Sequence, residues 1–167
     1  MTEEDIQYLK SNLRYDPDTG KFWWLRRVRA NVKLDKPAGC YQEGYGCRYV
    51  VIRANHKVYR AHKLAFFFMN EDIPFRVDHI NGDGHDNRWC NLRPATLSQN
   101  MHNMRKNSNN KSGYKGVSWH KASRKWVAQI GLNGKRLYLG GYDTPELAYE
   151  AFCEAADKYH GEFANYG

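Results

Sequence analysis

A chain of 167 residues with 41% hydrophobic content holds one ordinary domain or two small ones, and two modest cores suit that composition better than one large core. A formal net charge of +8 favours polyanionic partners, with nucleic acid the commonest. No stretch reaches the roughly 18 apolar residues of a membrane span, and the acidic opening Met1-Thr2-Glu3-Glu4-Asp5 lacks the basic and apolar regions of a secretory signal. The expectation is a cytoplasmic protein with no membrane partner.

The first sixty residues read as mostly β. A short amphipathic opening (Ile6, Leu9, Leu13) precedes the turn formers Asp16-Pro17-Asp18-Thr19-Gly20, and Phe22-Trp23-Trp24-Leu25 then reads as a strand. Arg26, Arg27, Arg29, Lys33 and Lys36 make a basic arm or loop. Tyr45–Arg53 and Lys57–Ala61 alternate as strands, joined by a tight turn at Ala54-Asn55-His56. The apolar run from His62 to Asn70 predicts a buried helix ending before Pro74, with Phe66, Phe67, Phe68 and Met69 as core and His62 as a structural histidine. Four scattered cysteines (Cys40, Cys47, Cys90, Cys153) form no CxxC pair. They read as free thiols at small, partly buried positions, with Cys40 and Cys47 meeting across a hairpin as the weaker reading.

The stretch Val77-Asp78-His79-Ile80-Asn81-Gly82-Asp83-Gly84-His85-Asp86-Asn87, followed by Asn91-Leu92-Arg93 and Asn100, suits metal-assisted cleavage of a phosphodiester. Carboxylate and amide oxygens are hard ligands for Mg²⁺, and an adjacent imidazole can take a proton from water. On a strand Asp78 and His79 point to opposite sides, so one can hold metal while the other addresses water. Asn81, Gly82, Asp83, Gly84, Asp86 and Asn87 are ordinary turn residues. A calcium loop is excluded, because that alignment puts His79 first and Cys90 twelfth, where oxygen ligands are required.

The run VDHINGDGHDN…NLRPATLSQN resembles the active-site motif of the HNH, or His-Me finger, endonucleases of phages and mobile introns. The resemblance implies two short strands and a helix around one divalent cation, Mg²⁺ or another such as Mn²⁺. By position, Asp78 becomes a metal ligand, His79 the general base and Asn100 the second metal ligand, while Asn91 braces the loop that aims the histidine. The last letter of the motif is Asn100 here rather than His, a variant shared by some phage homing enzymes.

Thr96 is a predicted N-cap for the helix carrying Asn100, and Leu97, Met101 and Met104 form the stripe expected to pack. The polar stretch Arg105–Ser112 reads as a linker. Beyond it, Tyr114–His120, Lys125–Gly131 and Lys135–Gly140 predict three strands with turns at Ala122-Ser123 and Asn133-Gly134. Thr144 and Pro145 then start a helix whose apolar stripe is Leu147, Ala148, Ala151, Phe152, Ala155, Ala156 and Tyr159. Residues 100–141 hold nine Lys or Arg and no acid, whereas residues 142–167 hold six acids and one Lys. Opposite signs are therefore concentrated on different surfaces.

The segments YKGVSW, KWVAQI, KRLYLGGYDTPELAYEAF and His160-Gly161-Glu162-Phe163-Ala164 resemble the Apetala-two (AP2) domain of plant ethylene-response transcription factors. That resemblance implies a sheet whose free face enters the DNA major groove, with Lys115, Ser118, His120, Gln129, Arg136 and Tyr138 on it. Alternation gives much the same set, since Val117, Trp126, Ala128, Ile130, Leu137 and Leu139 are needed under the helix. Arg136 could read a guanine, and Lys121, Arg124 and Lys125 suit phosphates.

The combined expectation is an α+β chain. A β-rich region leads into a ββα-metal nuclease fold (residues 1–106, motif 77–104), then a linker (107–112), then a three-stranded antiparallel sheet packed on one helix (113–167). The function expected is a homing-type, metal-dependent endonuclease on double-stranded DNA, without a small-molecule cofactor, acting as a monomer or a DNA-assembled dimer. The rival readings are a DNA-binding regulator on an inactive nuclease fold and, more weakly, an RNA-binding protein.

Overall fold

Short helices alternate with small antiparallel sheets in the computed structural model, which describes residues 1–44 and 47–167. The architecture is α+β, as the sequence predicts. The chain divides into two units, Met1–Pro94 and Ala95–Gly167. That division falls ahead of the 107–112 segment read as a linker, so the helix bearing Asn100 lies in the second unit.

The first unit opens with α1 (Glu3–Asn12), whose capping box pairs Thr2 with Asp5. Buried Asp5 also receives Lys57 Nζ at 2.6 Å and Asn55 Nδ2 at 3.0 Å, and the Lys57 bond leads in holding its carboxyl well below the usual range. One hairpin joins β1 (Leu13–Asp16) to β2 (Lys21–Trp24), and β3 (Pro37–Ala38) pairs on β2. A second sheet has the order β4 (Cys40–Gly44), β5 (Cys47–Ala54), β6 (Lys57–Arg60). The expected strand start at Tyr45 lies outside the described residues. Asn55 and His56 both have left-handed φ, 45° and 58°, as a two-residue type I′ hairpin turn requires. The register sets Cys40 opposite Val51 and Cys47 opposite Gly44, not opposite one another, and the Cys47 side chain lies outside the described residues. Cys40 and Cys90 are exposed rather than partly buried.

Helix α2 (Ala61–Asn70) buries Ala61, His62, Leu64, Ala65, Phe66 and Phe67. Together with Leu9, Leu13, Tyr15, Phe22, Ile52 and Leu92 the apolar ones among them form the core. Met69, expected inside, faces solvent because the buried arc of α2 stops at Phe67. The helix ends where Glu71 turns left-handed at φ 58°. The unit closes with a small ladder of β7 (Val77–His79) and β8 (Leu92–Pro94).

The second unit starts with α3 (Leu97–His102), capped by a Thr96–Gln99 capping box. This helix buries none of its residues. Leu97, Met101 and Met104 are 54%, 57% and 57% exposed, so the expected packing stripe faces solvent. The sheet has the order β11 (Lys135–Tyr142), β10 (Lys125–Leu132), β9 (Val117–His120). Asn133 and Gly134 form its left-handed hairpin turn. Helix α4 (Pro145–His160) begins at the Thr144 cap with Pro145 in its first turn, and packs Ala148, Phe152, Ala155 and Ala156 on Val117, Ala128 and Ile130. Leu147 and Tyr159, at the margins of the predicted stripe, are exposed. So is Leu137, which lies towards the turn end of β11 beyond a bulge at Ala128/Gln129.

Gly20 ties the first hairpin to the loop that follows β7. Its φ is 69°, and a Cβ there would lie 2.3 Å from Arg88 N and 2.4 Å from Asn87 C. Gly20→Ala is therefore expected to destabilise the protein by roughly 2–3 kcal/mol. Denaturant unfolding measures this, and a loss under about 0.5 kcal/mol would show that the contact yields freely.

Candidate functional site

Three residue pairs form the β7–β8 ladder: Val77↔Pro94, Asp78↔Arg93 and His79↔Leu92. Cross-strand pairing sets a guanidinium opposite the Asp78 carboxylate. Arg93 Nε and Nη2 both reach Asp78 Oδ2, at 2.9 and 2.8 Å. Asp78 is 4% exposed and His79 6%. The two neighbouring side chains keep separate company, as alternation requires. His79 lies against the His62 ring, with centroids 5.1 Å apart, and Tyr49 at 6.1 Å.

The orientation of His79 follows from Asn87. Asn87 Nδ2 donates to His85 O at 3.1 Å, which fixes its amide and leaves Oδ1 facing His79 Nε2 at 3.2 Å. An amide oxygen only accepts, so Nε2 carries the proton and the basic lone pair is on Nδ1. Burial is the largest influence on His79 and lowers its pKa, with the Asn87 bond opposing it. The ring is thus held neutral, as a proton acceptor must be. Burial likewise pushes His62 down to about 3, which makes it a neutral packing partner.

Asn91 closes the intervening loop. Its Oδ1 accepts from Asn81 N at 3.0 Å, and its Nδ2 donates to Asn81 Oδ1 at 3.0 Å and Asp86 O at 2.7 Å. Ile80 N donates to Asn91 O at 2.9 Å. Asn81, Asp83 and Asp86 have the turn roles read for them: Asn81 and Asp83 each accept from a backbone N–H two residues on, and Asp86 receives Arg88. The first hairpin supports the loop from outside, through Tyr15 Oη donating to Asn87 O at 2.7 Å and Trp89 N to Pro17 O at 2.9 Å. The side chains His85 and His102, the other histidines near the motif, are engaged elsewhere: His85 against Tyr41 and His102 stacked on His160.

Asn100 is half-buried on α3. Among the described residues no group of three or more His, Cys, Asp or Glu could hold a metal ion. The buried Asp78 carboxylate is a hard oxygen donor of the kind divalent cations take, and Mg²⁺ keeps several waters and needs few protein ligands.

In the second unit the free sheet face carries Ser118, His120, Gln129, Arg136 and Tyr138, in agreement with the alternation and the bulge. Lys121 and Arg124 are exposed in the β9–β10 turn. Lys125 is paired with Asp143 at 2.6 Å, and His120 Nδ1 contacts Ser123 Oγ at 2.8 Å. Lys115, expected on the same face, instead donates to three backbone carbonyls.

A family model described as HNH endonuclease matches residues 59–102 and one described as AP2 domain matches residues 112–162. Protein 3.8 of Escherichia phage T7 is 30% identical over 113 residues, covering 66% of this chain and 93% of that protein. The chain belongs to the HNH endonuclease family. The AP2 domain of this HNH chain is also similar to plant proteins. APETALA2-like protein 2 of Oryza sativa subsp. indica is 35% identical over 69 residues, which are 41% of this chain and 15% of that protein. Ethylene-responsive transcription factor WRI1 of Arabidopsis thaliana is 44% identical over 52 residues, 30% of this chain and 12% of that one. The chain thus spans only a small part of these plant relatives. No solved structure matches.

Two residues of the HNH site escaped the sequence reading. Arg93 was legible only through the strand register, since pairing His79 with Leu92 places Arg93 on Asp78. Asn87 was read as a turn former, and nothing in its spacing separates that role from holding His79. Asn91→Ala removes three hydrogen bonds and leaves Asn81 N and Asp86 O without this partner. It should cost about 1–3 kcal/mol. Thermal or denaturant unfolding checks this, and an unchanged stability would mean that the loop is held without the clamp.

Proposed function

We propose that this protein is a homing-type endonuclease that hydrolyses phosphodiester bonds in double-stranded DNA with the help of a divalent cation, Mg²⁺ or Mn²⁺. The observation carrying the reading is the set orientation of His79: a neutral imidazole, protonated at Nε2 towards Asn87, at the mouth of a loop closed by Asn91. Its match to the HNH endonuclease model supports the reaction class. The AP2 match and the basic sheet support DNA as the partner.

In this mechanism His79 Nδ1 takes a proton from water as the water oxygen attacks phosphorus. Asn87 keeps Nε2–H in place, and Asn91 keeps the loop from drifting. The bond from phosphorus to the 3′ oxygen breaks, and that oxygen leaves to gain a proton, giving 5′-phosphate and 3′-hydroxyl ends. Asp78 and Asn100 would hold the cation, which when bound supplies positive charge to the phosphate and the departing oxygen. Arg93 fixes the Asp78 carboxylate in direction through two contacts to one oxygen. On the DNA side, Arg136 presents a fork suited to guanine, while Lys121 and Arg124 stand exposed for phosphates.

Incubation of supercoiled plasmid with the purified chain tests this. Nicked or linear DNA should accumulate with Mg²⁺ or Mn²⁺ and stop in EDTA, and Asp78→Ala should lose activity with intact DNA binding. Cleavage at full rate in EDTA would remove the cation from the mechanism.

A further inference from the structure

Lys115 departs most from its sequence reading. Its ammonium donates to His102 O at 2.9 Å, Met104 O at 2.6 Å and Asn165 O at 2.8 Å. The first is the last carbonyl of α3, where helix carbonyls lack intrahelical partners and the helix dipole favours a cation, and the second lies just past the Asn103 cap. Three donors on a compact charge match three acceptors. Burial pulls the Lys115 pKa down to about 8, so this cation is withdrawn from water.

The same end of α3 is held from other sides. The His102 ring stacks on His160 at 3.6 Å with an 8° interplanar angle. His160, the last residue of α4, in turn bonds Gly131 O on β10 at 2.8 Å. Asn165 Nδ2 donates to buried Asn103 Oδ1 at 3.2 Å. Asn100 is two residues from His102 on a six-residue helix, too short for its ends to orient independently. Whatever fixes the last turn of α3 also fixes Asn100.

We infer that Lys115 is a positioning residue of the nuclease and not a DNA contact: it fastens α3, and with it Asn100, to the AP2 fold. The inference rests on the proposed function, in which Asn100 supplies an oxygen to the cation. The AP2 domain thereby does more than bind DNA. A residue of its own, held by three backbone carbonyls, sets where part of the reactive machinery stands.

The test compares full-length Lys115→Met, Asn165→Ala and His79→Ala with the parent chain. The readouts are duplex binding against salt, single-turnover cleavage of saturated duplex against Mg²⁺ concentration, and hydrogen exchange. A phosphate contact would contribute roughly −0.9 to the slope of log affinity against log salt. For Lys115→Met the expected result is a parent-like affinity and slope, with cleavage of bound DNA slowed roughly 10–100-fold by misplacement. Half-saturating Mg²⁺ should rise, and the Asn103 and Met104 amides should exchange faster while β9–β11 keep their protection. Asn165→Ala should give the same pattern more weakly. A slope flattened by about 0.9 with normal cutting once bound overturns the inference and returns Lys115 to the DNA face. Parent-like exchange and cleavage in both variants overturn it as well. If Lys115→Met loses the protection of the sheet, Asn165→Ala decides, and its parent-like cleavage is contrary. If His79→Ala cuts like the parent, the nuclease reading fails and the inference with it. If His79→Ala is inactive while the other two cut normally, only the inference fails.

Discussion

Asn91 joins the two ends of the loop between β7 and β8, and the geometry proposed for His79 depends on that closure. Its amide serves Asn81 N, Asn81 Oδ1 and Asp86 O together. A ladder of three pairs is too short to be stable alone, so the loop cannot take its shape from the strands. The outside support comes from the first hairpin, through Tyr15, Pro17 and the close approach of Gly20 to Arg88. Packing of Leu9, Phe22 and Phe66 thus contributes indirectly to the aim of His79.

Two charged pairs, one in each unit, behave differently. Arg93–Asp78 is shielded from water, so losing one partner would strand a buried charge at a cost of about 3–5 kcal/mol. Lys125–Asp143 is largely solvated, and pairs of that kind contribute about 1 kcal/mol or less. Lys125 can therefore leave Asp143 for a phosphate at little cost. Arg93 cannot leave Asp78 so cheaply, and its place in the site is architectural.

Local signals made much of the fold legible. Asn133-Gly134, Thr144-Pro145 and the Thr96–Gln99 spacing each fix a turn or helix start from chemistry within four residues. The HNH motif was legible for the same reason, since Asp78, His79 and Asn91 belong to one short ladder and its loop. What sequence could not supply was decided by distant partners. The three carbonyls around Lys115 come from positions 102, 104 and 165, and no local pattern announces such a convergence. Periodicity marked Leu97, Met101 and Met104 as one face but could not say that this face would remain exposed. Alternation likewise placed Leu137 under α4; it pairs with buried Ile130, yet its position near the turn leaves it exposed.

The central claim is that binding and bond cleavage reside in different residues, with His79 serving only the second. Equilibrium binding and single-turnover cleavage on the same duplex, for His79→Ala beside the parent, measure this directly. The account predicts unchanged affinity and salt slope, with a cleavage rate lower by roughly 10²–10⁴-fold. Cleavage by His79→Ala at the parent rate, with the DNA equally bound, would contradict it.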